Sequence, residues 1–183
     1  MKNKILSAVI AAGIVATPNQ LFASPDVDAY LGIGYGLGEF TSEGIPDFNP
    51  SGLLIRFGGI FSRYFSIEGR FGVGLEEDTQ NINGVDVSVE LDTLTGAYGV
   101  GHINFGKYSS VYGLIGVSRV QGTVKAPSSS GGSVTDSESD LSLGIGVDLG
   151  FSNSFSVNVE YVSYVSKTDV DLSAIGLGAV IRF

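Results

Sequence analysis

Cysteine and tryptophan are absent from the 183 residues, and histidine occurs once. Each absence closes a class. Without cysteine, no disulfide can hold the fold together. A lone histidine, His102, offers no donor set for a transition-metal centre, so no metal and no cofactor are expected. Basic residues are scarce too: ten Lys and Arg stand against nineteen Asp and Glu, a net charge of −9. Phosphate backbones need a basic surface, so no nucleic-acid partner is expected. The longest apolar run, Ile5 to Val15, falls short of the roughly 20 residues that a spanning helix requires.

That run sits in MKNKILSAVIAAGIVATPNQLFA, which reads as a secretory signal. Lys2 and Lys4 form the charged start, and Leu21-Phe22-Ala23 forms a cleavage site. The sequence thus predicts a signal peptide at 1–23 and one domain at 24–183. Removing the signal leaves eight basic and nineteen acidic residues, a net −11. The mean hydropathy of +0.28 is high for a chain without a long apolar helix. Spreading apolar residues along many alternating strands would account for it.

What the chain has in abundance is glycine, 27 residues of it, placed with period two. In LGIGYGLG, Leu31, Ile33, Tyr35 and Leu37 alternate with Gly32, Gly34, Gly36 and Gly38. The same alternation sets Leu53, Ile55 and Phe57 against Arg56 and Gly58, and Ile67, Phe71 and Val73 against Glu68, Arg70 and Gly72. It recurs toward the C-terminus, where bulky residues oppose Gly144, Gly146, Asp148, then Asn158, Glu160, then Gly176, Gly178, Arg182. Period two over such lengths signals strands. In the fourth strand, Leu94, Tyr98 and Val100 share one parity while Val85, Val87, Val89 and Leu91 share the other. A bulge near Asp92-Thr93 is expected there. For the fifth, VYGLIGVSRV, alternation leaves the outer face undecided.

Eight strands result, joined alternately by short turns (Arg63-Tyr64, Phe105 to Lys107, Asn153-Ser154) and longer polar loops. An even count with this alternation marks an all-β, eight-stranded antiparallel up-and-down transmembrane barrel. Its bulky face would meet lipid, and its glycine face would leave room in a narrow lumen. The inward set then includes Arg56, Glu68, Arg70, Asp148, Glu160 and Arg182, three bases and three acids that must pair or be hydrated.

The ending GLGAVIRF, the turns FSRYFSIEGRFGVG and FSNSFSVNVEY, and the segments YGLIGVSRV and VEYVSY together resemble the OmpA-like barrel superfamily, most closely the OmpX/Ail family of small surface barrels. The resemblance implies an outer-membrane location. It also implies that Gly178, Ile181 and Phe183 form a C-terminal signal read by the barrel assembly machinery. The chain differs from enterobacterial members in its serine-rich third loop and its acidic charge.

Enzymatic readings find little footing. GIGYGLG lacks the G-x-G-x-x-G spacing and no helix follows it. Lipid A deacylases pair His with Ser on the barrel wall, but two residues beyond His102 stands Asn104, and alternation places His102 outward at the membrane interface. Thr79 to Glu90 approximates a calcium loop, yet Asn83-Gly84 reads more simply as the type I′ turn of a hairpin. Strands from Phe65 to Ile82 and from Val85 to about Ile103 would stand roughly 20 Å above the membrane at about 3.3 Å per residue. With VQGTVKA and SVTDSES they would form a four-stranded protruding sheet with two free edges, while the first and last outer loops leave their strands short.

The expected function is therefore a non-enzymatic surface barrel, presenting protruding hairpins and acidic loops for adhesion or for interaction with host or envelope components. The alternatives are a narrow pore for small solutes and a purely structural barrel. Expected partners are outer-membrane lipid, lipopolysaccharide, the assembly machinery and a host or envelope protein, with the barrel itself a monomer.

Overall fold

Strands dominate the computed structural model, which describes residues 28–42, 47–82, 84–126, 132–167 and 170–183. In chain order they are β1 (Asp28–Ser42), β2 (Ser51–Ser62), β3 (Phe65–Glu76), β4 (Asp78–Ile82), β5 (Val85–Phe105), β6 (Ser109–Ala126), β7 (Gly132–Gly150), β8 (Phe155–Lys167) and β9 (Val170–Arg182). β4 continues β3 beyond a break at Glu77, so the chain crosses eight times. Every neighbouring pair is antiparallel. β1 pairs with both β2 and β9, and β3 pairs with β5 along Phe65 to Val73, which closes the ring. Closure matters because lipid cannot satisfy the backbone groups of a bare edge. The segment 1–23 expected as a signal peptide, the serine- and glycine-rich segment around 128–131, and Asn83 lie outside the described residues.

The alternation of the sequence becomes the two faces of the wall. Leu31, Ile33, Leu37, Phe57, Ile67, Leu143, Ile145 and Leu177 all point outward and are exposed on the isolated chain, Leu177 by 62%. Phenylalanine and tyrosine stand in for tryptophan at the end carrying the short turns. Phe61 and Phe65 approach to 6.5 Å, Phe151 and Phe155 to 6.0 Å, and Arg63 and Lys107 lie over Tyr64 and Tyr108. Such aromatic girdles suit the boundary between hydrocarbon and water.

Bulges decide what alternation could not. The register of β5 against β6 shifts between Leu91 and Thr93. Below it the even residues Leu94, Tyr98 and Val100 are buried inside; above it the odd residues Val89 and Leu91 take over the inner face. In β6 the inner face is Tyr112, Leu114, Ser118 and Val120, while Ile115 and Val117 meet lipid. A second shift, between Ser163 and Val165 of β8, turns both Tyr164 and Val165 inward.

Candidate functional site: the lumen and the extracellular mouth

Toward the short turns, the lumen is a locked polar layer. Arg70 of β3 reaches Glu160 of β8 through both terminal nitrogens at 2.8 and 2.9 Å, and Glu68 through Nε at 2.6 Å. Arg56 of β2 lies 3.4 Å from Asp148 of β7 and 3.6 Å from Glu160, and it donates to the Tyr112 hydroxyl at 3.2 Å. Arg182 approaches Asp148 at 3.5 Å. Three bases thus meet three acids across the bore, and Arg56, Glu68, Arg70, Asp148 and Glu160 are all buried. Charges so enclosed cost several kcal/mol unless paired and hydrogen-bonded, and here each one is.

Tyrosines complete the layer, and sequence reasoning passed over them. Tyr30 donates to Glu68 at 2.7 Å, and Tyr112 donates to Glu160 at 2.8 Å while accepting from Asn158. The signal was available, since Tyr30 has the parity of the inward glycines of β1. Their rings also explain part of the glycine face. Added methyls on Gly58, Gly146 and Gly116 would fall within the envelopes of Tyr30, Tyr112 and Tyr98 respectively. Gly36 is different: the nearest atom to such a methyl is a backbone oxygen 3.8 Å away.

His102 corrects the sequence reading. It faces the lumen, not the lipid, because β5 keeps its even residues inside below the bulge. Its Nε2 lies 2.9 Å from the Ser66 hydroxyl, and its ring stacks 5.9 Å from Tyr112. Ser66 is fully enclosed, and the pair caps the polar layer.

Farther from the short turns, the interior becomes apolar. Leu94, Tyr98, Leu114, Val120, Val162, Tyr164, Val165 and Leu172 form one cluster, with Leu54, Leu91 and Phe40 packed against it. Above this cluster the wall parts into two lips. The larger consists of β4 and the distal parts of β5, β6 and β7, paired continuously from Asp78↔Val89 and Ser88↔Lys125 to Ala126↔Gly132. The turn between β4 and β5 is tight: Ile82 pairs with Val85, Gly84 has φ +84°, and its N–H donates to Asn81 Oδ1 at 2.9 Å. Glycine is required at such a φ.

The smaller lip was not anticipated. β1 runs on to Ser42, β8 to Lys167, and β9 begins at Val170, so the last outer loop does not leave its strands short. Before β2, Phe48 bridges Phe40 of β1, and its side chain is wholly buried. Nor are the edges of the larger lip bare, as the alternation had suggested. The N–H groups of Ser137 and Leu141 in β7 donate to the carboxylates of Asp136 and Asp140 at 2.7 and 2.8 Å. Asp140 also accepts from Ser166 N–H at 3.0 Å, and Lys167 pairs with Glu138. On the other side, Asn49 N–H donates to Asp78 and Gln80 to the Asp47 carbonyl. These seams stitch lip to lip.

The larger lip is two-faced. Inward it turns Val89, Leu91, Val120, Val124 and Val134. Outward it carries a polar ladder: Thr79 with Ser88, Asn81 with Asp86, Asp92 with Thr123 and Thr135, and Lys125 between Glu77 and Glu90 at 2.9 and 2.6 Å. Hydrogen bonds from Glu90 and Glu77 hold the Lys125 ammonium above its ordinary range. Among the acids of the outer loops and hairpins, Glu76, Glu77, Asp78 and Asp86 belong to this lip or its base, and Asp136 and Glu138 face its inner side. Glu43 and Asp169 lie outside the described residues. At the opposite end, Gly178 faces Asn158, while Ile181 and Phe183 point outward and Phe183 exchanges backbone hydrogen bonds with Ala29.

Comparison with known proteins agrees with this architecture. A family model described as the outer membrane protein beta-barrel domain matches residues 6–183. Ail, the attachment invasion locus protein of Yersinia pestis, is 25% identical, with a TM-score of 0.65 over 86% of this chain and 99% of that one. Neisserial surface protein A shares the fold at 12% identity, with a TM-score of 0.61 over 85% of this chain and 97% of that one. OprG of Pseudomonas aeruginosa does so at 10%, with a TM-score of 0.56 over 86% and 96%. No curated protein sequence matches the chain. A closed ring of eight crossings, lipid-facing bulk, a polar lumen and this family match have one reading: the chain belongs to the outer membrane protein beta-barrel domain family, a surface barrel of the bacterial outer membrane.

Proposed function

We propose that the larger lip is a recognition surface, used for adhesion or for contact with host or envelope components. One observation carries the reading: β5, β6 and β7 stay paired well beyond the level at which β3 and β8 leave them, at Val73↔Thr93 and Leu143↔Ser163. A barrel that only spanned and stiffened the membrane would need roughly 9–11 residues per strand. Here β5 has 21 and β7 has 19. The bore, crossed by Arg56 and Arg70, supports recognition over conduction.

Ail is named for attachment and was crystallised with a heparin analogue, sucrose octasulfate. The partner of this chain should differ in sign. Its outer ladder sets Glu77, Asp86, Glu90 and Asp92 against Lys125, within a chain of net charge −9. A basic protein surface is therefore favoured over a polyanion. In this reading the barrel works as a monomer among lipopolysaccharide and phospholipid, after insertion by the assembly machinery. Two variants test it, one lacking 77–86 and one carrying Glu77→Gln with Asp86→Asn, each displayed on bacteria. Both should lose adhesion to host cells, while heat-dependent gel mobility reports a folded barrel. Undiminished adhesion by the deletion variant would sink the proposal.

A further inference from the structure

Between the two lips lies a cavity of about 370 Å³, within the roughly 300–1,000 Å³ typical of small-molecule sites. The larger lip supplies Val89, Leu91, Val120 and Val134, and the smaller lip Val165 and Leu172. These side chains do not close on one another across the axis. Val134 remains 69% exposed although it points inward, in contrast to the nearly sealed Val165 below it. The seams of Asn49 with Asp78, Ser166 with Asp140 and Lys167 with Glu138 hold the lips at this separation. Below, at Pro50, Leu91 and Leu172, the cavity adjoins a smaller recess of about 70 Å³ walled by Gly34, Gly36 and Gly176.

Acid is in excess around the cavity. Asp136 and Glu138 turn their side chains to it, Glu90 borders it from the outer ladder, and the Lys167 ammonium sits at the same rim on Glu138. Glu90 is engaged by Lys125 and Glu138 by Lys167, whereas Asp136 makes no ion pair among the described residues. An apolar hollow rimmed by carboxylates discriminates in two ways. It draws an apolar body out of water, and it favours a cation over an anion at the rim. We infer that this cavity binds a small cationic amphiphile, a molecule with a short apolar body and one ammonium or amidinium head, with Asp136 facing the head.

The inference is independent of adhesion by the outer face and is tested on the whole barrel in nanodiscs with ¹³C-labelled valine methyls. Hexylammonium and hexanoate, which share an apolar body and differ in charge, are the probes. Hexylammonium should produce saturable shifts confined to methyls such as those of Val89, Val120 and Val134, leaving lipid-facing Val117 and Val159 unmoved. Hexanoate should bind at least about tenfold more weakly, and Asp136→Asn should remove most of that preference. Val134→Phe, which fills the hollow, should abolish the shifts. Equal affinity for both probes, shifts that spread to Val117 and Val159 without saturating, or binding unaltered in both variants would each overturn the assignment.

Discussion

The two ends of this barrel solve the same packing problem with opposite chemistry. At the end of the short turns, three arginines, three carboxylates and two tyrosines fill the bore. At the far end, valines and leucines line a hollow and all the charge sits at the rim or on the outer face. Mutual hydrogen bonds fix the polar layer to one arrangement, whereas contacts among apolar side chains are non-directional and leave a hollow where the lips stand apart. The locked end suits a barrel that must resist the membrane. The open end suits one that meets other molecules.

The largest expected effect comes from breaking the lock. Arg70→Leu leaves Glu160 and Glu68 in the bore with only Arg56, Tyr112 and Tyr30 as partners and should cost roughly 3 kcal/mol of unfolding free energy, read by urea unfolding in lipid vesicles. Adding Glu160→Met should recover a good part of that loss, since a well-packed apolar pair can replace a buried ion pair. Failure of the double variant to recover would mean that Arg70 acts through Glu68 and the Tyr98 ring, 4.9 Å from its guanidinium carbon, more than through Glu160.

Two glycines sharpen the comparison at smaller scale. Gly116→Ala drives a methyl into Tyr98 and the Ala97 carbonyl, and should cost about 1–3 kcal/mol. Gly36→Ala, beside the recess, should be neutral or stabilise by up to about 1 kcal/mol through the unfolded chain. Equal penalties at the two sites would show that the recess is filled in solution. Both are measured by the same unfolding assay.

The smallest effect lies at a seam. Hydrogen bonds from Ser166 and then Leu141 hold the Asp140 carboxyl below the ordinary aspartate range. A depressed folded value means that the seam gains from ionised Asp140 above the ordinary value and loses that gain as the pH falls through the folded one. The Ser166 amide resonance should therefore titrate with a midpoint below that of a free aspartate, and Asp140→Asn should abolish the titration. A midpoint at the ordinary value would mean that the seam opens in solution.

Much of the barrel was legible from residues alone because a wall with lipid on one side leaves its period in the sequence. Leu31, Ile33, Tyr35 and Leu37 against four glycines admit only one outward face. Where environments change along a strand the signal fades. His102 was turned the wrong way because the bulky residues of its parity, Tyr98 and Val100, face the lumen while Gly99 and Gly101 take the other face, the reverse of the arrangement in β1. The smaller lip was missed because Ser42 and Val170 read as loop until paired, and the capped edge of β7 because Asp136 and Asp140 look like ordinary solvated acids.

Alternation along the chain is enough for the number of crossings, the lipid face of β1, β2, β3, β7, β8 and β9, the bulge at Asp92 and the inventory of inward charge, because each is a local property that needs no partner. Which arginine meets which carboxylate, which glycines receive a tyrosine ring, which line a hollow, and how far apart the lips stand are settled by packing across the barrel. Those depend on register between strands distant in the chain, as between Arg70 and Glu160, and a period of two repeats identically for every even shift of that register.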